Sequence, residues 1–203
     1  AIVADHAIRQ RVIRKGSSRI FFADDELVSD TPPAHHRPGG GFRNPWPASA
    51  PRGFSGVLRW MYDRATLPRA RDPASAAFPR VRSSFVAPRA TSDTIGATWV
   101  GHSTVFVQLG AANILTDPMW SERASPVAFA GPRRIVPAAV SLDALPSLDL
   151  VLLSHNHYDH LDDATVRALT ARHPQVTWVV PLGVASFVRA RGARHVVELD
   201  WWQ

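Results

Sequence analysis

Hydrophobic and polar positions change texture near Thr98. Over residues 103–109 they alternate, with Val105, Val107 and Leu109 sharing one side, which predicts a strand that buries its valine face. Gly110-Ala111-Ala112-Asn113 can turn the chain, and Ile114-Leu115-Thr116 is expected to pair back before Asp117-Pro118 stops it. Residues 148–153 are apolar except at Asp149 and predict a strand covered on both faces. Asp162 or Asp163 caps a predicted helix that carries Val166 and Leu169 and ends near His173. Strands over 176–180 and 195–199 enclose a helix over 184–191 that stops at Gly192. Strand–helix–strand–helix–strand is the pattern of an α/β layer.

The first half reads differently. Residues 1–34 show weak periodicity and form a variable N-terminal segment ending at Thr31-Pro32-Pro33. Prolines and glycines punctuate residues 35–97, and each proline fixes φ and removes a backbone donor, so the stretch resists long helices and central strands. It is expected to be an extended arm wrapping a domain of residues 98–203, held down by Phe42, Trp46, Phe54 and Trp60. A short amphipathic helix over 56–62 is the exception.

Composition narrows the chemistry. The 203 residues contain no cysteine, which excludes disulfides, zinc ribbons and thiol nucleophiles and leaves His and carboxylates as metal donors. Basic side chains outnumber acidic ones 23 to 17, with 15 against 8 in residues 1–100 and 8 against 9 in residues 101–203. A basic first half could meet nucleic acid or an anionic lipid surface, but its arginines are scattered among prolines and form no run. No apolar run approaches the ~20 residues that cross a bilayer as a helix.

Directly after the predicted buried strand stands Ser154-His155-Asn156-His157-Tyr158-Asp159-His160-Leu161-Asp162. In extended chain His155 and His157 project to one side and can reach one cation, while Asp159 and His160 follow where the chain turns and can face a second. The alternative is a solvated His-rich turn. The pair His35-His36 sits in a Pro/Gly loop without a carboxylate at ligand spacing and is expected to be solvated.

The HxHxDH order resembles that of the metallo-β-lactamase superfamily. Asn44-Pro45-Trp46-Pro47, Trp99-Val100-Gly101-His102-Ser103-Thr104, Leu115-Thr116-Asp117-Pro118, Arg123-Ala124-Ser125-Pro126 and Asp200-Trp201-Trp202 together resemble its N-acylphosphatidylethanolamine-hydrolysing phospholipase D branch. The resemblance implies an α/β chain forming the first half of an αββα sandwich, preceded by the Pro/Gly-rich arm. It implies two divalent metal ions, zinc before others, with His155 and His157 on one and Asp159 and His160 on the other. It places Tyr158 against a phospholipid, where the bare reading is a core or rim tyrosine. It makes Asp117 a support that orients the metal loop, where the bare reading is an ordinary Asp-Pro turn. His102 and the pair Trp201-Trp202 border the pocket or pack in the interior, and packing is the expectation.

The implied activity is metal-assisted phosphodiester hydrolysis that releases an N-acylethanolamine and phosphatidic acid at a membrane surface. The implied partner is phospholipid and no specific nucleic acid; a homodimer is compatible with it, as is a cytoplasmic, membrane-peripheral location. The family's remaining ligands lie beyond Asp-Trp-Trp, so the chain is expected to be a fragment that binds metal weakly and turns over nothing alone. Two alternatives stay open: another hydrolase of the same fold (a lactonase or a non-lipid phosphodiesterase), and a basic nucleic-acid or membrane binding module with a structural metal.

Overall fold

The structure, a computed structural model, describes residues 14–16 and 19–21 at the level of the backbone, and residues 33–44, 46, 53–68, 71–81 and 84–203 in full. Most of the expected 1–34 segment therefore lies outside the described residues. The chain divides into two compact units, residues 1–71 and 72–203.

In the first unit β1 (Arg14–Gly16) pairs antiparallel with β2 (Arg19–Phe21). A tight turn brings His36 opposite Phe42, closed by Arg37 N–H to Gly41 O at 2.9 Å and Arg43 N–H to His35 O at 2.8 Å. His35 is buried here, against the expectation of a solvated pair, with the Phe42 ring stacked 6.3 Å away and the His36 ring edge-on at 4.7 Å. The helix foreseen at 56–62 extends to Phe54–Thr66 (α1). None of its residues is buried, and Phe42, Trp46, Phe54 and Trp60 are all exposed, so these aromatics are not interior anchors. Among the described residues no helix is long and apolar enough to cross a membrane.

The second unit is a six-stranded mixed sheet in the order β3 (Ile95–Gly101), β4 (Thr104–Leu109), β5 (Ala112–Thr116), β6 (Leu150–Leu152), β7 (Thr177–Pro181), β8 (His195–Leu199). The first three strands form an antiparallel meander and the last four run parallel. Parallel neighbours need a crossover, and α2 (Asp163–Arg172) and α3 (Ala185–Arg189) supply it between β6 and β7 and between β7 and β8. Val166, Leu169, Val184 and Val188 from this layer pack on Phe106, Leu115, Val151, Trp178 and Val180 of the sheet to make the core.

The buried face of β4 is the opposite of the expected one. Thr104 and Phe106 are wholly buried and Gln108 nearly so, whereas Val105 and Val107 are only partly covered and Leu109 is 53% exposed. Polar residues can occupy an interior face when each group finds a partner, and these do. Thr104 Oγ1 donates to Asp117 O at 2.7 Å, and the Gln108 amide brackets Val86 with 2.9 and 2.8 Å bonds to its N–H and carbonyl. Asn113, also wholly buried, donates to Pro88 O and Ser147 O and accepts from Gln108 Nε2. The segment around residues 85–90 is thus tied to the sheet by two amides, with Phe85 edge-on to Phe106 at 5.2 Å.

Asn113→Ala strands the Pro88 and Ser147 carbonyls and one Gln108 proton in the interior. At ~1–3 kcal/mol for an unsatisfied buried group, with partial relaxation, the variant should lose about 2–4 kcal/mol of unfolding free energy. Urea unfolding reads this as a lower midpoint at unchanged slope.

Candidate metal centre

The carboxyl ends of adjacent parallel strands are where open α/β sheets gather ligands, and here β5 and β6 end side by side. Leu152 O accepts the Asp117 N–H at 2.9 Å, so Asp117 leaves β5 beside the point where residues 154–162 leave β6. The β3–β4 turn adds His102 and Ser103 from a third direction.

Asp117 organises the loop that leaves β6. It is 8% exposed, and its Oδ1 accepts the Ser154 N–H at 2.8 Å. Its Oδ2 accepts the Ser154 hydroxyl at 2.9 Å and faces His160 Nδ1 at 3.0 Å. Because Ser154 commits its only proton to the carboxylate, its oxygen can only accept from His155 Nδ1, 2.8 Å away. Both imidazoles are thereby set as Nδ1–H tautomers with Nε2 bare, the form that binds a cation. His155 Nε2 lies 3.0 Å from His157 Nδ1, and the His155 and His160 rings are 4.0 Å apart.

Asp159 stands on the far side. Its Oδ2 is 2.7 Å from His102 Nε2 and 3.6 Å from His160 Nε2. Burial pushes the Asp159 carboxyl up, but its own backbone N–H, the His102 bond and the charges of His160 and His102 outweigh this and hold it below the usual range. His155 is pushed below the usual imidazole range by burial and by its neighbours His160 and His157, against the pull of Asp117 and Asp159. The four residues of the HxHxDH stretch are thus brought together, with Asp117 beneath them.

The expectations for His102 and for the tryptophan pair change. His102 is exposed at the turn tip and touches Asp159, so it is not packed in the interior; an exposed turn histidine carries no periodicity that would have flagged it. Trp201 and Trp202 are exposed too. Tyr158 is 53% exposed and so is not a core residue. Asp162 caps α2 through its backbone only: its carboxylate instead accepts from Ser121 N–H, Ser121 Oγ and Thr165 Oγ1, tying down the far end of the loop.

A cleft of 1310 Å³ opens beside the cluster, with His157, Tyr158 and Asp159 on its wall and Val81, Trp99 and Ile135 giving it an apolar side. Arg134 lines it as well, beside Gly101, whose φ of +149° strains any side-chain-bearing residue and where a Cβ would lie 2.7 Å from Arg134 Nη1. Burial lowers the Arg134 guanidinium's pKa, against the pull of Asp162.

His155 and His173 both have depressed pKa values in the folded state, His173 through burial and the charge of Arg172. The unfolded chain then binds more protons than the native one as pH falls through the ordinary imidazole value of ~6.5, so stability should drop with acidification. Chemical denaturation at pH 7.5 and 5.5 should give a lower midpoint at 5.5, a difference reduced in His173→Phe. Asp117→Asn, whose amide also donates, should disturb the Nδ1–H tautomers of His155 and His160 seen in imidazole ¹⁵N NMR spectra.

A profile of the beta-lactamase superfamily domain matches residues 112–203. N-acyl-phosphatidylethanolamine-hydrolyzing phospholipase D 1 of Caenorhabditis elegans is 46% identical over 110 residues, which is 52% of this chain and 31% of that protein. An uncharacterized protein of Mycobacterium tuberculosis is 44% identical over 117 residues, 57% of this chain and 31% of the relative. The mitochondrial N-acyl-phosphatidylethanolamine-hydrolyzing phospholipase D of Saccharomyces cerevisiae is 34% identical over 106 residues, 52% of this chain and 22% of the relative. The chain spans under a third of the length of these relatives. With its α/β layer and its HxHxDH loop, the chain is similar to the beta-lactamase superfamily domain over residues 112–203 and, over about half its length, to the N-acyl-phosphatidylethanolamine-hydrolyzing phospholipases D.

Proposed function

We propose that the protein carrying this chain is a metal-dependent phosphodiester hydrolase that cleaves N-acylated phospholipid into an N-acylethanolamine and phosphatidic acid. The observation that carries the reading is the pair of imidazoles, His155 and His160, whose Nε2 atoms are bared by one buried carboxylate. The donor set fits divalent cations: neutral nitrogens and a carboxylate, without thiolate, as zinc in catalytic sites accepts. His155 and His157 would hold one ion, and Asp159 and His160 a second. Such ions supply Lewis acidity toward phosphoryl oxygens and acidify the attacking water.

The rest of the work falls to the chain. Asp117 and Ser154 hold His155 and His160 in register, so that little reorganisation is needed when the cations arrive. The cleft combines an apolar wall at Val81, Trp99 and Ile135 with the Arg134 guanidinium, which matches a substrate that is part hydrocarbon and part phosphate. Tyr158 is on the same wall and in this reading would lie along the lipid. A phospholipid substrate puts the protein at a membrane surface, as a peripheral visitor.

In the protein carrying this chain, His155→Ala and Asp159→Ala should each lower hydrolysis of N-acylated phosphatidylethanolamine in mixed micelles by more than about a hundredfold. A chelator should do the same, reversed by zinc. Faster turnover of soluble phosphodiesters or lactones than of the micellar lipid would replace this reading with the other hydrolase of the fold.

A further inference from the structure

The two-plus-two division of donors leaves out His102, which the geometry brings into the centre. His102 Nε2 and His160 Nε2 face the same atom, Asp159 Oδ2, at 2.7 and 3.6 Å, and the three atoms all lie within 4.8 Å of one another. Resting on the reading of Asp159 and His160 as cation donors, we propose that His102 is a third ligand, and that His102, Asp159 and His160 form a complete site for one divalent cation within residues 72–203.

Two nitrogens and one oxygen from the protein, with positions left for water, is a donor count that borderline divalent cations accept. Each donor is held from behind. His160 Nδ1 is fixed on Asp117, which turns its bare Nε2 toward Asp159. His102 sits on a turn whose backbone is constrained: its φ is +51°, an uncommon conformation for a side-chain-bearing residue. Trp99 Nε1 donates to His102 O at 2.7 Å, and Gly101 before it is closed in by Arg134. Left-handed backbone outside glycine persists where surroundings over-determine it, and such positions cluster at ligand sites. The His102 side chain is 51% exposed, so a hydrated ion can reach it.

The inference changes the expectation for these 203 residues. Two separate donor pairs would bind weakly, whereas a three-donor site should take up one equivalent of cation. The probe is Co²⁺, whose visible absorption reports nitrogen coordination, titrated into the 203-residue chain with calorimetry in parallel. Saturation is expected at one Co²⁺ per chain. His102→Ala should weaken binding by at least about tenfold, the lower bound set by what the loss of a mere supporting contact costs. His102→Asn, which tolerates the left-handed turn but lacks the imidazole, should do likewise with an unchanged circular dichroism spectrum. His195→Ala, at an exposed histidine that opens β8 away from the cluster, should leave the Co²⁺ isotherm as in the parent. Absence of binding, or an isotherm kept with His102→Ala and His102→Asn, overturns the proposal. Activity is not read, so absence of phosphodiesterase turnover in the protein carrying this chain refutes the hydrolase reading and leaves this one standing.

Discussion

A single carboxylate, Asp117, fixes the chemistry of the site. Nearly out of water, it must be satisfied locally, and it is: by a backbone N–H, a hydroxyl and an imidazole. Each of those bonds has a further effect. The hydroxyl, once committed, can only accept, which decides the tautomer of His155; the imidazole, once committed, presents its other nitrogen outward. Two histidines separated by four residues in sequence are thereby set by one negative charge.

That arrangement depends on strand register. Asp117 follows β5 with φ at +38°, and its N–H is taken up by Leu152 of β6, so the parallel pairing itself brings the carboxylate under Ser154. The other end of the loop is tied by Leu161 in the core and by the Asp162 carboxylate on Ser121 and Thr165. A slip of one residue between β5 and β6 would turn every side chain over and separate Asp117 from its partners. The buried amides Gln108 and Asn113 act on the same sheet from the opposite end, holding the segment before β3 against β4 and β5.

Much of this layer was legible in the sequence, because short apolar runs bounded by turn residues mark β5, β7 and β8, and Val166 and Leu169 mark the inner face of α2. The face of β4 was not. Val105, Val107 and Leu109 look like the buried set by hydrophobicity, yet Thr104, Phe106 and Gln108 are inside, because Asp117 O and the Val86 backbone satisfy the two polar ones. Alternation reveals that a strand has two faces; which one is covered depends on partners 13 and 22 residues away. The HxHxDH stretch was legible as a donor cluster, since four metal-competent side chains in six positions have few other uses. His102 was not, for it is a lone turn histidine whose only relation to the cluster is spatial, 57 residues off along the chain.

The tautomer logic also makes the two sides of the cluster unequal. If His155 Nε2 is bare, the 3.0 Å approach of His157 Nδ1 requires a proton on that nitrogen, since two facing lone pairs would repel. His157 is exposed and can move that proton to its Nε2 at little cost, whereas His155 and His160 cannot change tautomer without breaking bonds to Ser154 or Asp117. In the proposed centre the inner imidazoles would therefore fix the place of a cation, and the outer one would adapt to it. An ion entering between His155 and His157 needs only a proton shift in His157, while Asp117, which carries the buried charge, keeps every one of its bonds.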